Sequence, residues 1–140
     1  MKVLRNKLEK VGGIYRFQPG TTDEQIVEHI LRDFSIKLLG ILKDYYDPKV
    51  GCSSLCTYEI FRKRWSIEDP GDVSSDGEVI YSEIPSDYCT KFIRQLPGGE
   101  RYSEETIRRS FSGGEFPLIK IWKGYHPGRN EIHVTYHICR

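Results

Sequence analysis

The sequence predicts an α+β fold in which an antiparallel sheet of about four to five strands packs against one long amphipathic helix. Three observations support this: a helical apolar period after Thr22, strand-like segments on both sides of it, and a Pro-Gly turn signal between two apolar segments near the C-terminus. The order of strand, long helix, strands, short helices and hairpin is typical of the α+β class. With 140 residues, 38% of them hydrophobic and 29% charged, a single globular domain over residues 1–140 is expected.

The chain begins with a basic segment, residues 1–12, for which the sequence allows two conformations. Apolar residues recur there at three- and four-residue spacing ahead of a glycine pair, which is typical of a short helix. A mobile basic arm fits the same residues equally well. Residues 14–17 are apolar and aromatic enough for a short strand, and Pro19-Gly20 predicts the turn that closes it.

The clearest element is an amphipathic helix over residues 23–46, for which the sequence leaves open an interruption near Ser35 or Gly40. Thr22 and Gln25 have the identity and spacing of a capping box, in which each side chain accepts a hydrogen bond from the other residue's backbone amide. Apolar residues then recur with a helical period, and charged residues occupy the opposite face. The apolar set is Ile26, Val27, Ile30, Leu31, Phe34, Leu38, Leu39, Ile41, Leu42 and Tyr45.

Two strands are expected after this helix, with an acidic loop between them. Residues 56–65 are rich in aromatic and β-branched side chains, and this composition favours a strand. Residues 78–84 favour a second strand on the same grounds. Two short helices should follow, with Ser86 and Ser103 as their N-caps, because serine accepts hydrogen bonds from the first free amides of a helix.

The C-terminal segments, residues 116–122 and 131–139, are expected to form a hairpin. Along the second segment apolar and polar residues alternate, so one face should lie in the core and the other in water or at a site. The expected core set is Ile132, Val134, Tyr136 and Ile138, and the other set is His133, Thr135, His137 and Cys139.

Several classes of protein are excluded. The longest apolar run, residues 38–42, is far shorter than the ~20 residues that span a bilayer, and no signal-peptide core follows Met1. We therefore expect a soluble intracellular protein. Cys52 and Cys56 form a pair without a second pair of ligands, so free thiols are expected and no metal site. The sequence contains no phosphate-binding or dinucleotide-binding motif, so no cofactor is expected.

Charge is segregated along the chain. Residues 1–16 are basic, whereas the segment from Trp65 to Cys89 holds seven acidic residues and neither lysine nor arginine. This distribution suits self-association or docking between an anionic partner, such as a membrane surface or nucleic acid, and a second protein. A solvated surface with scattered charge is the plainer alternative. The residues expected to bind an anionic partner are Lys2, Arg5, Lys7, Lys10, Arg62, Lys63 and Arg64.

His133, Thr135 and His137 are the best candidates for catalysis. A histidine beside a hydroxyl on a rigid strand can supply acid–base chemistry to a phosphodiesterase or ribonuclease that uses no metal. Four residues along a strand separate the two histidines by ~13 Å, so they cannot share a metal ion and would need a bend to flank one phosphate. A solvated strand face accounts for the same alternation without catalysis.

About half of the chain resembles the matrix proteins of rhabdoviruses. Residues 12–17, Pro19-Gly20 and residues 27–34 are similar to the strand, turn and helix that open that family's globular core, and residues 57–65 are similar to its next strand. The resemblance implies a non-enzymatic protein that self-associates and bridges a nucleocapsid to the inner membrane surface. No Pro-Pro-x-Tyr budding motif is present, so no budding role is implied. A small phosphodiesterase or ribonuclease, and an accessory protein that sequesters a host factor, stay open as alternatives.

Overall fold

The computed structural model describes residues 10–47, 51–52, 57–65, 77–111, 116–126 and 128–139. The strands in these ranges are β1 (Lys10–Phe17), β2 (Tyr46–Asp47), β3 (Gly51–Cys52), β4 (Glu78–Glu83), β5 (Leu118–His126) and β6 (Glu131–Cys139). The helices are α1 (Asp23–Tyr45), α2 (Thr57–Trp65), α3 (Ser86–Gln95) and α4 (Glu104–Arg108), and a 3₁₀ helix covers Gly99–Arg101. No helix in the described part of the chain combines the length and the apolar character that crossing a membrane requires.

The main sheet has four strands in the order β1-β6-β5-β4, and every neighbouring pair is antiparallel. A separate two-stranded ribbon pairs β2 with β3. Strands β5 and β6 form the predicted hairpin, paired without interruption from Leu118 opposite Cys139 to His126 opposite Glu131. The predicted α+β fold with one long helix on an antiparallel sheet is therefore confirmed.

Helix α1 begins where the capping box predicts. The Thr22 hydroxyl accepts a hydrogen bond from the Gln25 amide at 3.1 Å, and the Gln25 side chain accepts one from the Thr22 amide at 3.0 Å. The buried face of the helix packs against the core face of the sheet, with Phe34 at the centre. The Phe34 ring lies 5.1 Å from Phe61 of α2 and 6.1 Å from Tyr136 of β6, measured between ring centroids. These aromatic contacts join helix, helix and sheet in one core.

The prediction of a strand over residues 56–65 is wrong, because residues Thr57–Trp65 form helix α2 and Cys56 lies outside the described residues. Thr57, Ile60 and Phe61 are all buried, and their spacing of three and four residues places them on one helical face. The Thr57 hydroxyl also donates a hydrogen bond to the Ser110 carbonyl. Packing of this face on the core outweighs the strand preference of the individual residue types.

The remaining boundaries differ in smaller ways. Strand β1 runs from Lys10 rather than from residue 14, so residues 10–13 are strand and not the end of a short helix. The two glycines in this segment lie where the register between β1 and β6 shifts. Helix α3 starts at Ser86 with Pro85 at the N-cap, so Ser86 does not cap it. Ser103 does cap α4, because its hydroxyl accepts a hydrogen bond from the Thr106 amide at 3.1 Å.

Candidate interaction site

His133, Thr135 and His137 share the outer face of the sheet, on the side away from α1. The pairing of β5 with β6 places Gly124, Trp122 and Lys120 opposite them in turn. The expected solvated face is wrong at these positions: the exposed fraction is 0% for His133 and Thr135 and 7% for His137. Both faces of the middle of β6 are therefore buried.

The buried histidine His133 has a specific acidic partner. Its Nε2 atom lies 2.9 Å from Oε1 of Glu131, and the guanidinium of Arg16 approaches the same carboxylate at 3.8 Å. The hydrogen bond to His133, with the charges of Arg16 and Arg129, holds the pKa of Glu131 below its usual value. His137 instead packs against the Trp122 ring, with 5.7 Å between the ring centroids. The two histidines thus have different surroundings and do not form a shared acid–base pair.

A second polar cluster joins β1 to α1. The Tyr15 hydroxyl donates a hydrogen bond to Asp33, and Lys37 Nζ lies 2.7 Å from the Asp33 carboxylate and 3.0 Å from the Tyr15 hydroxyl. The ammonium group of Lys37 also lies over the Trp65 ring at 5.2 Å. Burial, followed by the neighbouring Tyr136 hydroxyl and the Asp33 carboxylate, raises the pKa of Tyr15 far above its usual value. In this cluster the charge of Asp33 is neutralised by that of Lys37, and the contacts connect β1, α1 and α2.

The basic residues predicted to bind an anionic partner do not form one cluster in the described residues. Lys2, Arg5 and Lys7 lie outside them, and Lys10 is the first residue of β1, paired with His137 across the strands. The second basic cluster, Arg62, Lys63 and Arg64, belongs to α2. Among these three side chains, Lys63 is exposed, and Arg64 bonds to Asp44 at 3.0 Å and lies over the Tyr45 ring.

A groove of about 750 Å³ opens between the N-terminal half of α1, strand β4 and helix α3. Its floor is apolar and aromatic, and one of its walls is acidic. The floor residues are Val27, Leu31, Ile80, Tyr81 and Tyr88, and the polar wall comprises Thr22, Asp23, Glu24, Gln25 and Glu28. Among the residues that the structure describes, no lysine or arginine lines it. The acidic residues of the wall all belong to α1, whereas β4 and α3 contribute only floor residues, and the fold brings these elements together.

Two of the acidic groups at this groove have basic neighbours. Asp23 bonds to Lys123 at 2.7 Å, and this hydrogen bond raises the pKa of Lys123 above its usual value. Glu28 bonds to Arg32, one turn further along α1, at 3.0 Å. Glu24 is exposed and forms no ion pair with any described residue. Together, these described side chains carry a net negative charge at neutral pH.

Neither a metal nor a thiol-dependent site emerges from the described residues. No group of three or more His, Cys, Asp or Glu side chains in these ranges is arranged to hold a metal ion. Cys89 is free and buried, as expected, and burial raises the pKa of its thiol to about 12. A buried thiol with so high a pKa is protonated at neutral pH and is a poor nucleophile.

In comparisons with known proteins, no family model, no curated protein and no solved structure matches this chain.

Proposed function

We propose that this chain is a non-enzymatic interaction protein that self-associates and bridges a nucleocapsid to an anionic membrane surface, in the manner of a rhabdovirus-type matrix protein. The observation that carries the proposal is the separation of charge along helix α1. The acidic groove lies at its N-terminal end, whereas the basic helix α2 contacts its C-terminal end through the ion pair of Arg64 with Asp44.

The two ends are far enough apart to bind different partners at once. Asp23 and Asp44 are separated by 21 residues, which corresponds to ~32 Å along an α-helix. Charges at this distance are screened from each other at physiological salt, where the Debye length is about 8 Å. A chain with segregated charge suits head-to-tail contacts between copies, and such contacts build rings or filaments.

Burial of the outer-face residues makes the enzymatic alternative less well supported. A phosphodiesterase needs its acid and base within hydrogen-bonding reach of the substrate, directly or through one water molecule. The side chains of His133 and Thr135 are fully buried, and the Nε2 atom of His133 is already bonded to Glu131. In this conformation a dissolved phosphodiester cannot reach them.

Binding to anionic vesicles tests the membrane part of the proposal. A variant with glutamine at Lys2, Arg5, Lys7 and Lys10 should bind phosphatidylserine vesicles about tenfold or more weakly at low salt, because each basic residue near such a surface contributes ~1 kcal/mol. Added salt should abolish most of the difference. The matched control removes four exposed charges elsewhere, through glutamine at Lys91, Arg94, Arg101 and Arg129. Equal vesicle binding by wild type and the first variant would contradict the proposal.

A further inference from the structure

Strand β4 ends the main sheet, with β5 on one side and no further strand of the described residues on the other. In an antiparallel strand, alternate residues direct their N–H and C=O groups towards one neighbour or the other. The outer edge of β4 therefore carries backbone donors and acceptors that an additional strand can use.

The surroundings of this edge differ between the two faces of the sheet. On the face towards α1, the acidic groove lies next to β4, with Tyr81 in its floor and Glu28 in its wall. On or next to the edge itself, Val79 is 41% and Ile84 is 58% exposed, and both are large apolar side chains. Val79 pairs with Trp122, which places it on the outer face. The register shifts between Val79 and Tyr81, so Tyr81, which pairs with Ile121, lies on the opposite face although it is only two residues further along.

A second copy of β4 is a poor occupant of this edge. If two β4 strands pair antiparallel about a two-fold axis between Ile80 and Tyr81, Glu78 of one copy lies opposite Glu83 of the other. Like charges in directly opposed positions destabilise a strand pair. Both glutamates are exposed, and of the two only Glu78 lies near a described cation, at 3.5 Å from Lys123. In this register, which pairs all six residues of β4, the two copies repel each other, whereas a basic strand is attracted to the same glutamates.

We propose that β4 accepts an extended segment of a partner protein in which basic and apolar residues alternate. The basic side chains enter the acidic groove, and the apolar side chains lie on the outer face beside Val79. Alternation is required because successive residues of a strand point to opposite faces. This proposal rests on the proposed function as an interaction protein and assigns a partner chemistry to the acidic end of the molecule.

The dimensions fit a short segment. Strand β4 has six residues, so a partner of equal length spans ~20 Å at about 3.4 Å per residue. Half of its side chains face the groove, which means three basic residues against the acidic wall. A groove of about 750 Å³ has room for several side chains.

The test uses a labelled, end-blocked peptide of sequence Lys-Val-Lys-Val-Lys-Val and fluorescence anisotropy with the full chain. We expect the protein to bind this peptide, and to bind Lys-Lys-Lys-Val-Val-Val at least about tenfold more weakly. The second peptide has the same charge, but as a strand it cannot place all its lysines on one face and all its valines on the other. The variant Glu24→Gln with Glu28→Gln should bind the alternating peptide about tenfold or more weakly. Its matched control, Glu104→Gln with Glu105→Gln, removes the same charge from the first turn of α4 and should bind like the wild type.

Backbone methylation tests strand addition directly. Two versions of the peptide carry N-methyl groups on alternate residues, either the odd or the even ones. Since strand amides alternate between the two edges, only one version blocks the amides that face β4, and that version alone should lose binding. The proposal is wrong if both methylated peptides bind as tightly as the parent peptide. It is also wrong if the variant Glu24→Gln with Glu28→Gln binds the alternating peptide as tightly as the wild type.

Two further outcomes separate this proposal from the proposed function. If the wild-type protein self-associates but binds no alternating peptide, the strand addition is wrong and the interaction protein stands. If a peptide of residues 1–9 of this chain displaces the probe, the groove belongs to a second copy of the chain, and a foreign partner is wrong.

Discussion

The Nε2 atom of His133 lies 2.9 Å from Oε1 of Glu131, two residues earlier on the same face of strand β6. The histidine side chain is fully buried, whereas Glu131 is partly exposed and also meets Arg16. A buried ring nitrogen next to a carboxylate is an interaction that stabilises the fold. The buried position and this hydrogen bond indicate a structural role for His133 in the sheet and not a role at a solvent-exposed site.

Replacing His133 with alanine should destabilise the protein. The change removes the hydrogen bond to Glu131 and leaves a cavity on the outer face, at a combined cost of about 1–3 kcal/mol in the free energy of unfolding. Urea unfolding measures this value. His29→Ala is the control, because His29 is exposed and has only edge contacts with the rings of Tyr15 and Phe17, so its loss should cost less than that of His133. If the two variants are equally stable, the role given to His133 is wrong.

Val134→Asp should prevent folding, since Val134 is fully buried in the core face of β6 and an unpaired carboxylate there has no compensating partner. Val79→Asp makes the same chemical change on edge strand β4, at a side chain that is 41% exposed, and should leave the fold intact. Circular dichroism and thermal unfolding of both variants compare the two sites. A folded Val134→Asp protein would show that this face of β6 is not in the core.

Stability should fall as the pH rises above about 10, the pKa of a tyrosine in the unfolded chain. The folded protein keeps the Tyr15 proton because burial raises the pKa of Tyr15 beyond its ordinary value of 10.0. Above pH 10 the unfolded chain then binds fewer protons than the folded one. The contribution of Tyr15 to the free energy of unfolding is therefore complete below pH 10 and is lost above it. Tyr15→Phe should reduce the slope of unfolding free energy against pH by about 1.4 kcal/mol per pH unit above pH 10. Tyr125→Phe, at a half-exposed ring, is the control, and identical slopes in all three proteins would refute the assignment.

Assays against RNA and cyclic nucleotides compare the enzyme with the interaction protein. We expect no hydrolysis by the wild type above the rate in buffer. Removal of a general acid or base lowers turnover by about a hundredfold or more. Hydrolysis by the wild type that His133→Ala and His137→Ala both abolish, while the folded fraction is unchanged, would establish the catalytic alternative.

The sequence predicts α1 correctly because period and capping agree there. Residues Thr57–Trp65 show the opposite case, since the composition of the segment favours a strand while the spacing of Thr57, Ile60 and Phe61 is helical. In this segment the helical period of the buried residues, and not the residue composition, agrees with the structure. The core stack of Phe61 on Phe34 then explains why the helix forms despite residues of low helix propensity.

The candidate sites were less predictable than the fold. Alternation along β6 identifies the core face, but it does not reveal whether the opposite face is solvated, because that depends on residues far away in the sequence. The acidic groove is likewise a product of topology. Glu28 on α1 and Tyr81 on β4 are 53 residues apart, and no local pattern brings them together.

Static light scattering over a range of protein and salt concentrations tests the proposed self-association most directly. At low salt, we expect the weight-average mass of the wild type to rise above that of one chain as the protein concentration increases. At about 1 M salt, where the Debye length is about 3 Å, it should return to the mass of one chain. A mass of one chain at every protein and salt concentration would contradict the account.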